Sequence, residues 1–171
     1  YNINCHGAKT GSINVIRVNN VGSVSYRWYD GTVGNPRYEL GAGSYGVAIM
    51  DANRCQATGT ATLIEPPLLE AEYDITHAFC PEAPDAEIDL TVTGGSTASE
   101  YHYLWIAPNA FTATTEDISG LLPGAYSVTI TDFNDCSITV PMLVRPKNEI
   151  CLTIPEAFSP NGDLINDTWD I

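Results

Sequence analysis

The sequence predicts an all-β chain built as two tandem β-sandwich modules followed by the truncated start of a third, and three observations carry that prediction. A string over residues 43–55, GSYGVAIMDANRC, returns over residues 124–136 as GAYSVTITDFNDC, matching at Gly, Tyr, Val, Ile, Asp, Asn and Cys in one register. Apolar residues alternate with polar ones at period two through both copies, the signature of half-buried strands. Gly and Pro cluster between the alternating runs, and no segment keeps a 3.6-residue period for three turns.

Taken in order, Ile13, Val15 and Arg17 form the first alternating run, and residues 25–29 the second, around Trp28. After the turn residues 31–36 and 41–43, Tyr45, Val47 and Ile49 make a third run. The second copy opens with residues 68–75, which have no counterpart in the first, then repeats the pattern as Ile88, Leu90 and Val92. Residues 101–106 follow around Trp105, and Tyr126, Val128 and Ile130 close the series. Six extra residues in the second copy fall before its Trp and between its Trp and Tyr, as insertions in surface loops would. Module boundaries are expected at Pro66–Pro67 and at residues 145–148, giving modules over 1–66, 67–146 and 147–171. The first module is expected to lack its first strand and to leave that sheet edge open.

Leu40, Gly43 and Tyr45 recur as Leu121, Gly124 and Tyr126. A Leu, a Gly and then a Tyr entering a strand is the pattern of a tyrosine corner, in which the phenol bonds back to upstream backbone. Trp28 and Trp105 occupy the place of the buried strand-C tryptophan, so Trp28, Tyr45, Trp105 and Tyr126 are read as the core signature of two immunoglobulin-like sandwiches.

Acids outnumber bases 21 to 7, for a net charge of −14. That balance opposes nucleic acid and anionic membrane surfaces, both of which call for clustered Lys and Arg. No run approaches the length of a membrane helix. Of the five cysteines, the repeat predicts pairs Cys5 with Cys55 and Cys80 with Cys136. Each pair meets at one pole if the strand from Gly11 runs antiparallel to the one ending at Asp51. Cys151 is expected to pair beyond Ile171. Such bridges imply an oxidising compartment, and the absence of any CxxC pair argues against zinc.

The Tyr-x-Trp strand, the Leu-x-x-Gly-x-Tyr entry and the run Val-x-Ile-x-Asp-x-Asn-x-Cys, each present twice, resemble the SprB-type repeat of gliding-motility adhesins and other type IX secretion substrates. The resemblance covers residues 1–146. It departs from the usual pattern at residues 19–22, where a Gly-Gly turn like Gly94–Gly95 is expected. The tail LTIPEAFSPNGDLINDTWDI resembles the opening of the gliding-motility C-terminal domain, through Pro155, Phe158, Ser159, Pro160, Asn161, Gly162, Asp163, Asn166 and Asp167, with Leu164 in place of a second Gly. This resemblance implies a β-sandwich export signal read by the type IX machinery, and attachment at the outer face of the cell.

Asn161, Asp163, Asn166 and Asp167 gather four oxygen-bearing side chains in a Gly-containing loop, which suits either Ca²⁺ or turn capping. Asp51 with Asn53, and Asp132 with Asn134 and Asp135, read as turns leading to the cysteines, with calcium as the alternative. No other cofactor is implied. His6, His77 and His102 lack any HExxH helix, nucleophile elbow or phosphate loop, and the chain is read as non-catalytic. The expected role is a stalk of a secreted cell-surface adhesin. The alternatives are a module that binds surface glycans or outer-membrane proteins through loops 31–36 or 107–115, and a spacer in a secreted hydrolase.

Overall fold

A computed structural model describes residues 1–16, 22–107, 111–148 and 151. It is all-β, with the chain laid out as immunoglobulin-like sandwiches around two separate clusters of buried residues. The tail residues Asn161, Asp163, Asn166 and Asp167, and the turn at 19–21, lie outside the described residues.

The second copy shows the plan in full. Its strands are β6 (Glu70–Thr76), β7 (Ala86–Thr93), β8 (His102–Ile106), β9 (Thr112–Ala113), β10 (Ile118–Leu121), β11 (Gly124–Thr131) and β12 (Ser137–Val144). One sheet has the order β10-β7-β6 and the other β12-β11-β8-β9. The chain therefore crosses between sheets from β7 to β8, from β9 to β10 and from β10 to β11, which is the Greek-key connectivity of such sandwiches. Alternation places Ala86, Ile88 and Leu90 of β7 against Tyr126, Val128 and Ile130 of β11, with Trp105 fully buried among them. The Trp105 Nε1–H donates to Thr115 O at 2.9 Å, so the ring is buried without stranding its polar atom. The corner forms as expected: the Tyr126 hydroxyl donates to Leu122 O at 2.9 Å.

The first copy is the same plan with fewer strands among the described residues: β1 (Gly11–Ile13), β2 (Val24–Trp28), β3 (Arg37–Leu40), β4 (Gly43–Asp51) and β5 (Gln56–Leu63). Its sheets are β1-β3 and β2-β4-β5. Among the described residues, strand β1 is paired on its other side only through Tyr1, which exchanges two hydrogen bonds with Ser12. The second copy there has the seven-residue strand β6. The Tyr45 hydroxyl donates to Gly41 O at 2.9 Å, repeating the corner, although Tyr45 is only half-buried. Trp28 is buried and its Nε1–H donates to Gly34 O at 2.8 Å.

Two substitutions distinguish the cores. Ile88 faces Ile118 in the second copy, whereas Ile13 faces Arg37 in the first. The Arg37 guanidinium lies over the rings of Trp28 (4.9 Å) and Tyr45 (5.5 Å) and pairs with Asp30 at 2.9 Å. It thus covers the aromatic pair with its flat face, and its largely buried charge is matched by Asp30. Hydrogen bonds from the Thr32 hydroxyl and backbone N–H, and then Arg37, hold the Asp30 carboxyl below its ordinary pKa.

The second difference is a strained residue. The β10–β7 register shifts at Gly120, whose φ is 70°, the left-handed residue of a bulge. Its counterpart in the first copy is Glu39, with φ 56°. A non-glycine side chain held there costs about 1–2 kcal/mol. Glu39→Gly is therefore expected to raise the stability of the first module by about 1 kcal/mol in urea melts. No gain would mean that contacts of the Glu39 side chain offset the strain.

Candidate functional site: the joint between modules

The cysteine pairing predicted from the repeat is corrected by the structure. Cys5 is bonded to Cys136, with Cα atoms 5.7 Å apart, and Cys80 to Cys151 at 5.9 Å, while Cys55 is a free, exposed thiol. Neither Cys5–Cys55 nor Cys80–Cys136 forms, and Cys151 finds its partner inside the chain. The physical reason is strand direction. Strand β1 is antiparallel to β3, and β3 reverses into β4 at the corner of Gly41 and Ala42, so β1 and β4 run the same way. The cysteine before β1 and the cysteine after β4 consequently lie at opposite poles. The eight residues of β5 lead from Cys55 to the pole of Cys5, where Ile3 N–H bonds Ile64 O. At 3.3 Å per residue that is about 26 Å, whereas a disulfide needs Cα atoms within about 7 Å. The second module repeats this: β12 leads from Cys136 to Pro146, which bridges Ala78 near Cys80.

Separating the poles within a module brings the cysteines of successive modules together. At the joint, Asp132 is 2% exposed and organises the turn that carries Cys136. Its Oδ1 accepts the N–H groups of Asn134 (2.8 Å) and Cys136 (2.9 Å), and its Oδ2 accepts that of Ser96 (2.7 Å). The three donors explain how a carboxylate is buried in this position. From the turn, the Asn134 side-chain amide donates to Asn4 O at 2.8 Å, beside the disulfide.

The linker is held on the same side. Gly95 N–H donates to Pro67 O at 3.0 Å, and a Cβ on Gly94, at φ 79°, would collide with the Leu68 carbonyl. The Gly94–Gly95 turn expected from the sequence thus serves a close approach of two backbones. On the first module, Glu65 accepts the Gly7 N–H at 2.7 Å and lies 3.5 Å from His6 Nδ1. A cleft of about 340 Å³ remains between the modules, lined by Cys5, His6, Pro66, Leu69, Asp135 and Cys136 among others.

The turn candidates Asp51–Asn53 and Asp132–Asn134–Asp135 are turns, as their hydrogen bonds show. Among the described residues no three His, Cys, Asp or Glu side chains gather as metal ligands would. His6 is at the joint, His77 Nδ1 accepts the Arg145 N–H at 3.3 Å, and His102 is exposed on β8, so the three are not brought together. Sequence reasoning missed the joint: four strands from Gly11 to Asp51 suggest three reversals and opposite directions, and it is the extra reversal at the Arg27–Val33 bridge, between β2 and β3, that gives β1 and β4 one direction.

No family model and no curated protein matches the chain. Among solved structures, an amphioxus IgVJ-C2 molecule is similar over 82% of this chain and 98% of that one, at 11% identity and a TM-score of 0.37. A likeness at that level carries no functional argument. The disulfides mark an oxidising compartment, and among the described residues no helix is long and apolar enough to cross a membrane.

Proposed function

We propose that the chain is a non-catalytic stalk segment of a secreted, cell-surface adhesin, exported by the type IX secretion system through the tail segment. The observation that carries the stalk reading is the Cys5–Cys136 bond between modules. Two domains joined by one peptide linker are expected to move relative to each other. Here Pro66–Pro67 is one tether and the disulfide a second, and two tethers restrict the joint to little more than a hinge. The Asn134–Asn4 and Gly95–Pro67 hydrogen bonds oppose the remaining motion. A linkage of this kind transmits force and orientation from one module to the next, which is what a stalk requires. The repeat motifs and the tail motif support the adhesin and export parts of the reading.

Small-angle scattering tests it. The chain with Cys5 and Cys136 both replaced by Ser is expected to keep its strand content and to show a broader distribution of interatomic distances than the parent. Identical distributions would remove the stalk reading.

One observation favours the binding-module reading as well. A groove of about 580 Å³ beside β8 is lined by Thr97, Ser99, Glu100, Tyr101, Tyr103 and Glu116. Burial first, then hydrogen bonding to Glu116, pushes the Tyr103 hydroxyl well above its ordinary pKa, so it stays protonated. Tyrosine rings beside hydroxyl and carboxylate groups suit a surface glycan, and glycan-array binding that is lost in Tyr103→Ala would establish it.

A further inference from the structure

The turn bearing the free Cys55, at the far pole of the first module, is built like the turn bearing Cys136. Asp51 Oδ1 accepts the N–H groups of Asn53 and Cys55, both at 2.9 Å, as Asp132 does for Asn134 and Cys136. The residue before each cysteine is left-handed, Arg54 at φ 64° and Asp135 at φ 63°. Turn geometry by itself indicates no partner. The occupied joints do.

In the first joint the Asn134 amide donates to the carbonyl of Asn4, the residue just before Cys5, and Cys5 is bonded to Cys136. A second joint repeats this arrangement. The Asn148 amide donates at 3.1 Å to the carbonyl of Phe79, the residue just before Cys80, and Cys80 is bonded to Cys151. In both joints, then, an asparagine shortly before one cysteine binds the carbonyl preceding the other. Asn53 and Cys55 hold those two roles in the first module, and both are exposed.

We infer that the Asn53–Cys55 pole is the receiving half of a further joint, and that its occupant is the first-cysteine loop of another module of this repeat. The loop presents a backbone carbonyl to Asn53 and a thiol to Cys55. Closing the joint forms one Sγ–Sγ bond: the two thiols release two protons and two electrons to a small-molecule disulfide, which is reduced to two thiols. Modules linked in this way form an array in which each is bonded to its neighbours and none to itself. The inference rests on the stalk reading of the joint.

The test mixes two full-length chains in a glutathione redox buffer. The first is the parent, whose Cys55 is free. The second carries Cys55→Ser, Cys151→Ser and Asn148→Ala, and so offers the Cys80 loop with its Phe79 carbonyl freed of the Asn148 side-chain amide, which leaves one lone pair open beside the backbone N–H of residue 148. Mass spectrometry is expected to find Cys55–Cys80 heterodimers in about tenfold excess over the statistical share, the effect of one good hydrogen bond on an equilibrium. Asn53→Ala in the first chain should remove most of that excess. Heterodimers in statistical proportion overturn the inference. If the triple variant does not fold, the single variant Cys151→Ser serves instead: head-to-tail Cys55–Cys80 oligomers support the joint, and a random mixture of bridges refutes it. Statistical cross-linking leaves the stalk reading standing, whereas unchanged scattering of the Cys5/Cys136 double variant refutes that reading separately.

Discussion

Asp132→Ala is expected to destabilise the second module by about 3 kcal/mol and to loosen its joint with the first. Three backbone N–H groups, from Ser96, Asn134 and Cys136, lose their acceptor at once. Each buried donor left unpaired costs about 1–3 kcal/mol, and water can reach only some of them. The carboxylate sits at 2% exposure with Gly95 packed against it, so the Ser96 N–H is the group least able to rehydrate. Asp132→Asn is expected to cost less, since the amide oxygen can keep two of the bonds while its NH₂ faces the third donor. The counterpart Asp51→Ala should cost under about 1 kcal/mol, because Asp51 is half-exposed and water replaces its two bonds. Urea melts of the three variants check the order. Equal losses at Asp132 and Asp51 would show that burial of the carboxylate does not decide the cost.

The contrast between these two aspartates also marks what could be read from sequence. Both belong to the same string, and both were legible as turn residues, because Asp two positions before Asn and four before Cys is a local pattern. Their difference in burial was not legible, since it comes from residues 67–69 and 95–96 closing over Asp132, a non-local event. The tryptophans and the tyrosine corners were legible for the same reason as the turns: period-two alternation fixes which face each side chain takes, and one face of each strand must be buried. The cysteine pairing failed because it depends on strand direction across sheets. A match in register shows that two residues are equivalent and leaves open whether they are near. Equivalent cysteines at opposite poles cannot bond within a module, and the same fact makes them meet between modules. Arg37 was unremarkable in the sequence, and its place over Trp28 and Tyr45 emerges only when β3 is paired with β1.

Trp105→Ala should produce the largest loss of stability, and its effect should stay within one module. The ring is 0% exposed and stands between the strand faces of Ile88 and Leu90 on one sheet and Val128 and Ile130 on the other. Truncation of a buried Trp removes both its transfer free energy and its packing, about 3–5 kcal/mol. It also strands the Thr115 carbonyl that accepts the indole N–H. For a module of this size each kcal/mol shifts the midpoint by about 4–8 °C, so the second module's transition should fall by roughly 15–30 °C. The first module has its own cluster around Trp28, and among the described residues none belongs to both clusters. Its transition is therefore expected to move by no more than a few degrees, the share that passes through the Cys5–Cys136 bond. Trp28→Ala should do the reverse, with a smaller loss: among the described residues the cluster there counts six buried residues against twelve, and Arg37 can fold over the gap it leaves. Calorimetry of the two variants distinguishes the cases. Separate transitions, each displaced by its own tryptophan, mean that the disulfide couples orientation and not folding. If either substitution displaces both transitions equally, the two clusters form one cooperative unit, and a joint between independent modules is the wrong description of Cys5–Cys136.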